Sequence, residues 1–95
     1  MLGAMSYKGV LNLQSDIISL ESGFYLVPKT SMGGVPANIP VEQDGILLKF
    51  KTSSYQNTAF YIFATTVYEL YYSTQWFTSS INKWRLITVT VPSNL

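Results

Sequence analysis

The residues best suited to chemistry in this sequence are aromatic and amide side chains, and the chemistry they suggest is ligand recognition. The chain has seven tyrosines, five phenylalanines and two tryptophans. An aromatic face packs against the apolar C–H patches of a sugar ring, while nearby hydroxyls and amides bind its OH groups. The candidate ligand-binding residues are Tyr71, Tyr72, Gln75, Trp76, Asn82 and Trp84, with Tyr68 and Asn57 as further members.

The same rings have two other interpretations. Large aromatic side chains are common in protein cores, and they are enriched at protein–protein interfaces. For Tyr71, Trp76 and Trp84 the sequence leaves core edge, subunit interface and ligand contact open. Four apolar residues of alternating segments are predicted core residues: Phe24, Phe50, Phe60 and Ile62.

The composition excludes several classes of catalytic and metal site. The chain has no Cys and no His, which removes Ser-His-Asp triads, thiol nucleophiles and thiolate zinc sites. Glu42 and Asp44 could bind a divalent cation or act as paired carboxylates in glycoside cleavage. Solvated turn residues are the better interpretation of this pair. The sequence therefore predicts no enzyme, no metal site and no cofactor.

Charge narrows the range of partners. The net charge is +1 and no basic run is present, so the electrostatic footprint of nucleic-acid binding is missing. The longest apolar stretch, residues 59–64, is far shorter than the roughly 20 residues that span a bilayer. Only 12% of the residues are charged, against about 25% in a usual domain. Such a surface is expected to be partly covered by another chain, in an oligomer of identical chains.

At 95 residues the chain is predicted to form one domain. Its first segment places Leu13, Ile17 and Leu20 on one helical face, which predicts a short helix over residues 13–20. Asn12 or Ser15 could cap this helix, and Asp16 is expected to cap or flank it. Residues 24–27 form an aromatic and β-branched run that predicts a strand.

The rest of the chain alternates between irregular and β patterns. Residues 29–43 contain two prolines and two adjacent glycines and predict a long loop. Four further segments predict strands: residues 46–51, 59–66, 68–75 and 84–91. Segment 59–66 is apolar on both sides and is expected mid-sheet, forming a hairpin with segment 68–75. In segment 46–51 the side with Ile46 is apolar, whereas Lys49 and Lys51 are predicted to point outward and keep an edge soluble. The predicted fold class is mainly β, a small antiparallel β-sheet domain with one short N-terminal helix.

Several short pieces in this order are similar to a known family. They are Tyr7-Lys8-Gly9, Asp16-Ile17 with Leu20, Gly23-Phe24-Tyr25, the loop with Pro36 and Pro40, Gly45-Ile46-Leu47, and Trp76 followed by Trp84. Together they resemble the knob or platform module of phage tail fibres, pyocin fibres and baseplate receptor-binding proteins. The resemblance covers about residues 7–88. The sequence departs from the family pattern between Trp76 and Trp84, where the stretch is longer than the family pattern leads us to expect.

The resemblance implies a non-enzymatic module for host-surface adhesion, binding bacterial surface carbohydrate or holding the part that does. It implies a homotrimer that contacts other tail or baseplate proteins, located in the virion tail and assembled in the bacterial host cytoplasm. Residues 7–91 would form the single knob-like domain, with residues 1–6 a flexible start or tag remnant and residues 92–95 a tail. A purely structural fibre or baseplate connector, and an accessory domain of a polysaccharide-degrading phage enzyme, remain alternatives. So does a carbohydrate-binding module outside any phage.

Overall fold

The protein folds into one six-stranded sheet. The computed structural model describes residues 6–52 and 58–87. The strands are β1 (Tyr7–Val10), β2 (Gly23–Val27), β3 (Gly45–Lys51), β4 (Thr58–Thr65), β5 (Leu70–Trp76) and β6 (Arg85–Ile87). They lie in the sheet in chain order. β1 is parallel to β2, and every later neighbouring pair is antiparallel. The predicted mainly β fold class is confirmed.

The strand predictions hold where the apolar pattern is strong. β4 lies inside the sheet between β3 and β5, as its two apolar sides indicate, and it forms the expected hairpin with β5. The hairpin turn is organised by Thr65, whose Oγ1 accepts hydrogen bonds from the backbone N–H groups of Val67 (3.3 Å) and Glu69 (3.1 Å). Tyr68 occupies the left-handed region in this turn, at φ 68°. β1 was not predicted, because its four residues carry no alternation. Residues 88–91 of the last predicted strand lie outside the described residues.

The predicted N-terminal helix shrinks to one 3-10 turn, Ile17–Ser19. Asp16 caps it, as predicted: its Oδ1 accepts from the N–H of Ile18 at 3.1 Å. Ile17 is buried and ties the turn to the sheet. A single α-helical turn, α1 (Lys29–Met32), opens the long segment predicted as a loop and ends at Gly33, which has φ 75°. In the described residues no helix is long and apolar enough to cross a membrane.

One face of the sheet is covered by the chain's own connections. The buried core on this face consists of Leu11, Ile17, Tyr25, Val27, Leu47, Ala59, Tyr61 and Phe63. Half-buried side chains from the segments between strands pack against it: Leu20, Met32, Val35, Ile39, Val41, Ile81 and Trp84. Gly45 lets β3 and β4 approach each other here, since a Cβ at this position would meet the Ala64 carbonyl oxygen and lie 2.8 Å from Phe63 Cζ. The connections between β1 and β2 and between β2 and β3, together with residues 77–84, therefore form the second layer of the domain.

The other face, called here the open face, has no covering segment in the described part of the chain. Two cross-strand rows run across the whole sheet on this side. The first row is Tyr7, Phe24, Leu48, Ile62, Tyr72 and Arg85; the second is Val10, Leu26, Ile46, Ala64, Leu70 and Ile87. A shorter third row is Phe50, Phe60 and Thr74. None of these side chains is buried, and Phe60 is 52% exposed.

This arrangement reverses part of the sequence prediction. Of the predicted core residues, Phe50 and Phe60 are exposed and Phe24 and Ile62 are half-buried, all on the open face. The predicted outward side of β3 is instead the covered one, where Leu47 and Lys49 are 0% and 1% exposed. Alternation separates the two sides of a strand but does not say which side the chain's own loops will cover.

Candidate functional site

The six predicted ligand-binding residues divide between the two faces of the sheet. Tyr72 and Trp76 belong to the open face, and Tyr71 and Gln75 to the covered face. Asn82 and Trp84 lie in the segment that crosses from β5 to β6. Strand alternation makes this division unavoidable, because residues 71 and 72, and 75 and 76, point to opposite sides. The structure does not bring the six together as one platform.

Gln75 is held inside the covered face by hydrogen bonds at both ends of its amide. Its Oε1 accepts from the Tyr61 hydroxyl at 2.8 Å, and its Nε2 donates to the Thr78 carbonyl at 2.7 Å. Gln75 is 2% exposed and Tyr61 is 0% exposed. Burial, with a smaller contribution from Asp16, raises the pKa of Tyr61 to about 12. The amide therefore orders the core and the start of the 77–84 segment.

Trp84 also packs inward. Its indole Nε1 donates to the Asn38 carbonyl at 2.7 Å, and its ring meets Tyr61 edge-on with centroids 6.2 Å apart. Tyr71 is half-buried and donates its hydroxyl to Glu69 Oε1 at 3.0 Å. Desolvation, then the hydrogen bond to Glu69, raises the pKa of Tyr71. Of the interpretations that the sequence left open, both rings occupy the core edge.

Exposed aromatics concentrate at the end of β5. Trp76 is 64% exposed and Phe77 is 55% exposed, and their rings meet edge-on with centroids 5.2 Å apart. Phe77 has φ 55°, a backbone region that a non-glycine residue seldom adopts. Tyr68, at the opposite end of the strand, is 99% exposed. Asn57 lies outside the described residues.

Tyr72 and Asn82 are the two predicted residues that share a site. They line an open cleft of about 350 Å³ together with Ser73, Thr74, Lys83 and Arg85. Asn82 is fixed there by three contacts with β5. Its backbone N–H donates to the Thr74 carbonyl and its Nδ2 to Thr74 Oγ1, both at 2.8 Å, while its own carbonyl accepts from Ser73 Oγ at 2.6 Å. The sequence prediction missed the two cations, although they flank Trp84 in the run Lys83-Trp84-Arg85.

Lys49, predicted to face solvent, is instead a buried cation. Its Nζ donates to the carbonyls of Ile17 (2.8 Å) and Ile18 (2.7 Å), the residues of the 3-10 turn, and lies 5.1 Å from the centroid of the Tyr61 ring. Burial, and then the nearby charge of Lys51, lowers the pKa of Lys49 to about 8. This lysine ties the turn to the sheet and is not available to a ligand. Lys51 is exposed, as predicted, and pairs with Glu21 at 3.5 Å.

The two acids considered as a cation or catalytic pair have different surroundings. Asp44 Oδ1 accepts from the backbone N–H of Thr30 at 2.8 Å, and Oδ2 accepts from the Thr30 hydroxyl at 3.0 Å. These hydrogen bonds lower the pKa of Asp44. Glu42 is exposed. Within residues 6–52 and 58–87 no three acids form a group able to hold a metal ion. Asp44 therefore anchors the start of α1 to the strand β3.

Replacing Asp44 is expected to loosen this anchor. In Asp44→Ala the Thr30 amide loses its acceptor, so it should exchange its hydrogen for deuterium faster than in the parent, with the amides of β4 unchanged. Glu42→Ala is the matched control and should leave the exchange of Thr30 as it is. Since the pKa of Asp44 is lowered in the folded state, the anchor is present above the ordinary carboxyl pKa and weakens as pH falls through the folded value. An equal effect of the two substitutions would contradict this assignment.

Comparison with known proteins gives one informative match. No family model and no curated protein matches the sequence. Among solved structures, the chain is similar to the Pseudomonas aeruginosa R1 pyocin fibre, in a structure comprising its C-terminal residues 323–701, with a TM-score of 0.69 and 19% sequence identity. The fold is therefore similar to that of part of the pyocin fibre. The match covers 90% of this chain and 25% of the fibre structure, so the chain spans about a quarter of that length.

Proposed function

We propose that this chain is a non-enzymatic module of a phage tail fibre or baseplate, which associates as a homotrimer through its open face and adheres to bacterial surface carbohydrate. Its location would be the virion tail, after assembly in the cytoplasm of the bacterial host. The observation that carries the proposal is the open face: a continuous apolar surface on a domain that shares its fold with a fibre module. Neighbouring tail or baseplate proteins are its further expected partners.

The open face has the composition of a protein core. Its two complete rows contain ten apolar or aromatic side chains besides Ala64 and a single charged one, Arg85, at the edge of the sheet. The covered face is the more polar of the two, since it holds Lys49, Ser73 and Gln75 among its buried residues. Large apolar patches left exposed on one chain are typical of protein contact sites.

Identical chains are the partner that this surface fits best. Interfaces of obligate homo-oligomers resemble a domain core cut in half, with few charges and many aliphatic and aromatic side chains. A charged partner would find no complementary charge in the middle of the open face. Closed symmetry lets each copy cover the apolar surface of another without leaving an open-ended assembly.

Light scattering on the full chain tests the assembly. A trimer gives about three times the chain mass of 10.7 kDa, and this mass should persist on dilution to low micromolar concentration. A mass of one chain would overturn the proposed association.

The proposed adhesion to carbohydrate is tested by applying the labelled protein to an array of purified lipopolysaccharides, teichoic acids and peptidoglycan fragments. Retention on at least one of these glycans is expected, and retention on none would overturn adhesion.

A structural connector without a ligand is the second candidate. It is favoured by the inward placement of Trp84 and Gln75, whose polar groups are already occupied within the domain. A stable trimer that binds none of the glycans would support this candidate.

The enzymatic alternative predicts depolymerisation of a host polysaccharide, and this activity should be lost when Glu42 and Asp44 are replaced by their amides. The binding of Asp44 to Thr30 supports a structural role for that acid instead.

A further inference from the structure

The cleft beside β5 is formed by an irregularity in strand pairing. Arg85 pairs with Tyr72, and the backbone N–H of Asn82 donates to the carbonyl of Thr74. Between these two points β5 contributes one residue, Ser73, whereas the facing segment contributes two, Lys83 and Trp84. An extra residue of this kind acts as a β-bulge, which bends the strand and redirects a side chain. Here Trp84 turns into the core, and Lys83 joins the lining of the cleft.

The described residues that line the cleft carry two positive charges and no negative one. Lys83 and Arg85 are both exposed lining residues. In the described part of the chain the ion pair joins Lys51 to Glu21, and no carboxylate lies within ion-pairing distance of Lys83 or Arg85. Arginine presents a planar fork that binds carboxylate or phosphate through two parallel hydrogen bonds, and a lysine beside it adds a compact charge. Two such cations in one cleft favour an anionic ligand.

The remaining lining suits a sugar more than a bare ion. The half-buried Tyr72 contributes an aromatic ring of the kind that packs against C–H groups. Thr74 Oγ1 accepts from Asn82 Nδ2, which leaves the hydroxyl hydrogen of Thr74 to donate to a ligand. The volume of about 350 Å³ falls at the lower end of the range of small-molecule sites.

From this geometry we propose that the cleft binds one sugar residue carrying a negative charge, a carboxylate or a phosphate, of a bacterial surface glycan. Arg85 and Lys83 bind the anionic group, Tyr72 packs against the ring, and Thr74 donates to a ring hydroxyl. This inference rests on the proposed adhesion function and names the chemical class of its ligand. It moves the binding site from the predicted set of six residues to the β5–β6 edge of the sheet, retaining Tyr72 and Asn82. The trimer contact then covers the open face from β2 to β4, where Ile46 and Phe60 lie, and leaves this edge accessible to the sugar.

The test is a nuclear magnetic resonance titration of the full ¹⁵N-labelled chain. Sodium glucuronate supplies a carboxylate, glucose 6-phosphate supplies a phosphate, and glucose is the neutral reference. Saturable shifts at the amides of residues 72–74 and 82–85 are expected with one or both charged sugars, and none with glucose. The two charged arms show which anionic group the cleft prefers. Added salt should weaken the binding, because the cations are exposed.

Two double variants make the assignment specific. Lys83→Gln with Arg85→Gln should weaken charged-sugar binding at least about tenfold, since charge-assisted hydrogen bonds to the anion are lost. Lys8→Gln with Lys51→Gln removes the same charge elsewhere and should bind as the parent does. Light scattering checks that the oligomeric state of each variant is unchanged.

Three results would overturn the proposal. They are shifts absent with both charged sugars, equal losses in the two double variants, and inorganic phosphate binding as strongly as glucose 6-phosphate, which would indicate an adventitious ion only. Retention on the glycan array that is unaffected by the substitutions at Lys83 and Arg85 would also overturn the cleft as the site. That last result would leave the adhesion function standing, so the two proposals fail separately.

Discussion

Ile46→Arg is expected to convert the proposed trimer into single chains. Ile46 lies in the second row of the open face between Leu26 and Ala64 and is 39% exposed in the single chain. The domain can therefore accept an arginine here with little loss of its own stability. In an assembly that buries the open face, each copy would instead bury an unpaired guanidinium, which costs about 3 kcal/mol or more. Light scattering at about 10 µM should then report the mass of one chain, 10.7 kDa.

Val67→Arg is the matched control for this substitution. Val67 is also β-branched and 49% exposed, but it lies in the turn between β4 and β5 rather than on the open face. This variant should keep the mass of the parent. Phe60→Arg, in the third row of the face, should behave like Ile46→Arg. Circular dichroism should show the β signature of the parent in all three. A trimer that survives both open-face substitutions would place the interface elsewhere.

The folding stability of the protein is expected to rise between pH 8 and about pH 10, the reverse of the usual alkaline trend. The cause is Lys49, whose pKa is lowered to about 8 by burial. In the unfolded chain its pKa returns to about 10.5, so the unfolded state binds more protons in this window and stability increases with pH. For a side chain only 1% exposed the gain is roughly 2 to 3 kcal/mol across the window.

The gain should reverse above about pH 10. The pKa of Tyr61 is raised to about 12 in the folded state, so the unfolded chain loses the tyrosine proton first and stability then falls. Neutral Lys49 still carries two hydrogens, enough for the carbonyls of Ile17 and Ile18. The groups that act on Lys49 are Lys51, which lowers its pKa, and Asp16 and Glu21, which raise it.

Urea unfolding at half-unit steps from pH 7 to 11 measures this curve. The parent should show a maximum near pH 10, and Lys49→Met should lose the rising limb while keeping the fall above pH 10. Lys51→Met, two residues along the same strand and exposed, is the control and should keep both limbs. Its rising limb should be somewhat smaller, because the charge of Lys51 contributes to the lowered pKa of Lys49. A parent whose stability declines steadily from pH 8 would show that the ammonium of Lys49 is solvated and not buried.

Most of the strands follow from local pattern, and the mistakes have a common cause. Alternation and β-branched or aromatic content located β2 to β5, and the two apolar sides of β4 placed it inside the sheet. The pattern could not show that Leu47 and Lys49 would be covered and Ile46 exposed. Lys49 is buried because it binds carbonyls 31 and 32 residues earlier in the chain. No short window of sequence contains such a contact.

The candidate site shows the same division. The sequence identified Tyr72 and Asn82 by residue type. Strand alternation turns Gln75 to the other face, and Trp84 packs onto the core, so both of these side chains make hydrogen bonds inside the domain. The cleft depends on the pairing of residues 82–85 with β5 and on the extra residue in that pairing. Such a register is set by the packing of Trp84 onto the core, so the sequence alone did not reveal it.

The sequence by itself determined the strand periodicity, the absence of Cys and His chemistry, and a low content of charged residues. Periodicity is local, because it depends on side chains two residues apart. Only the tertiary structure decided which side of the sheet the connecting segments cover and that Lys83 and Arg85 line one cleft with Tyr72. Those outcomes depend on contacts between distant parts of the chain. Closing the loops between such parts costs conformational entropy, which is offset only by the packing of the whole domain.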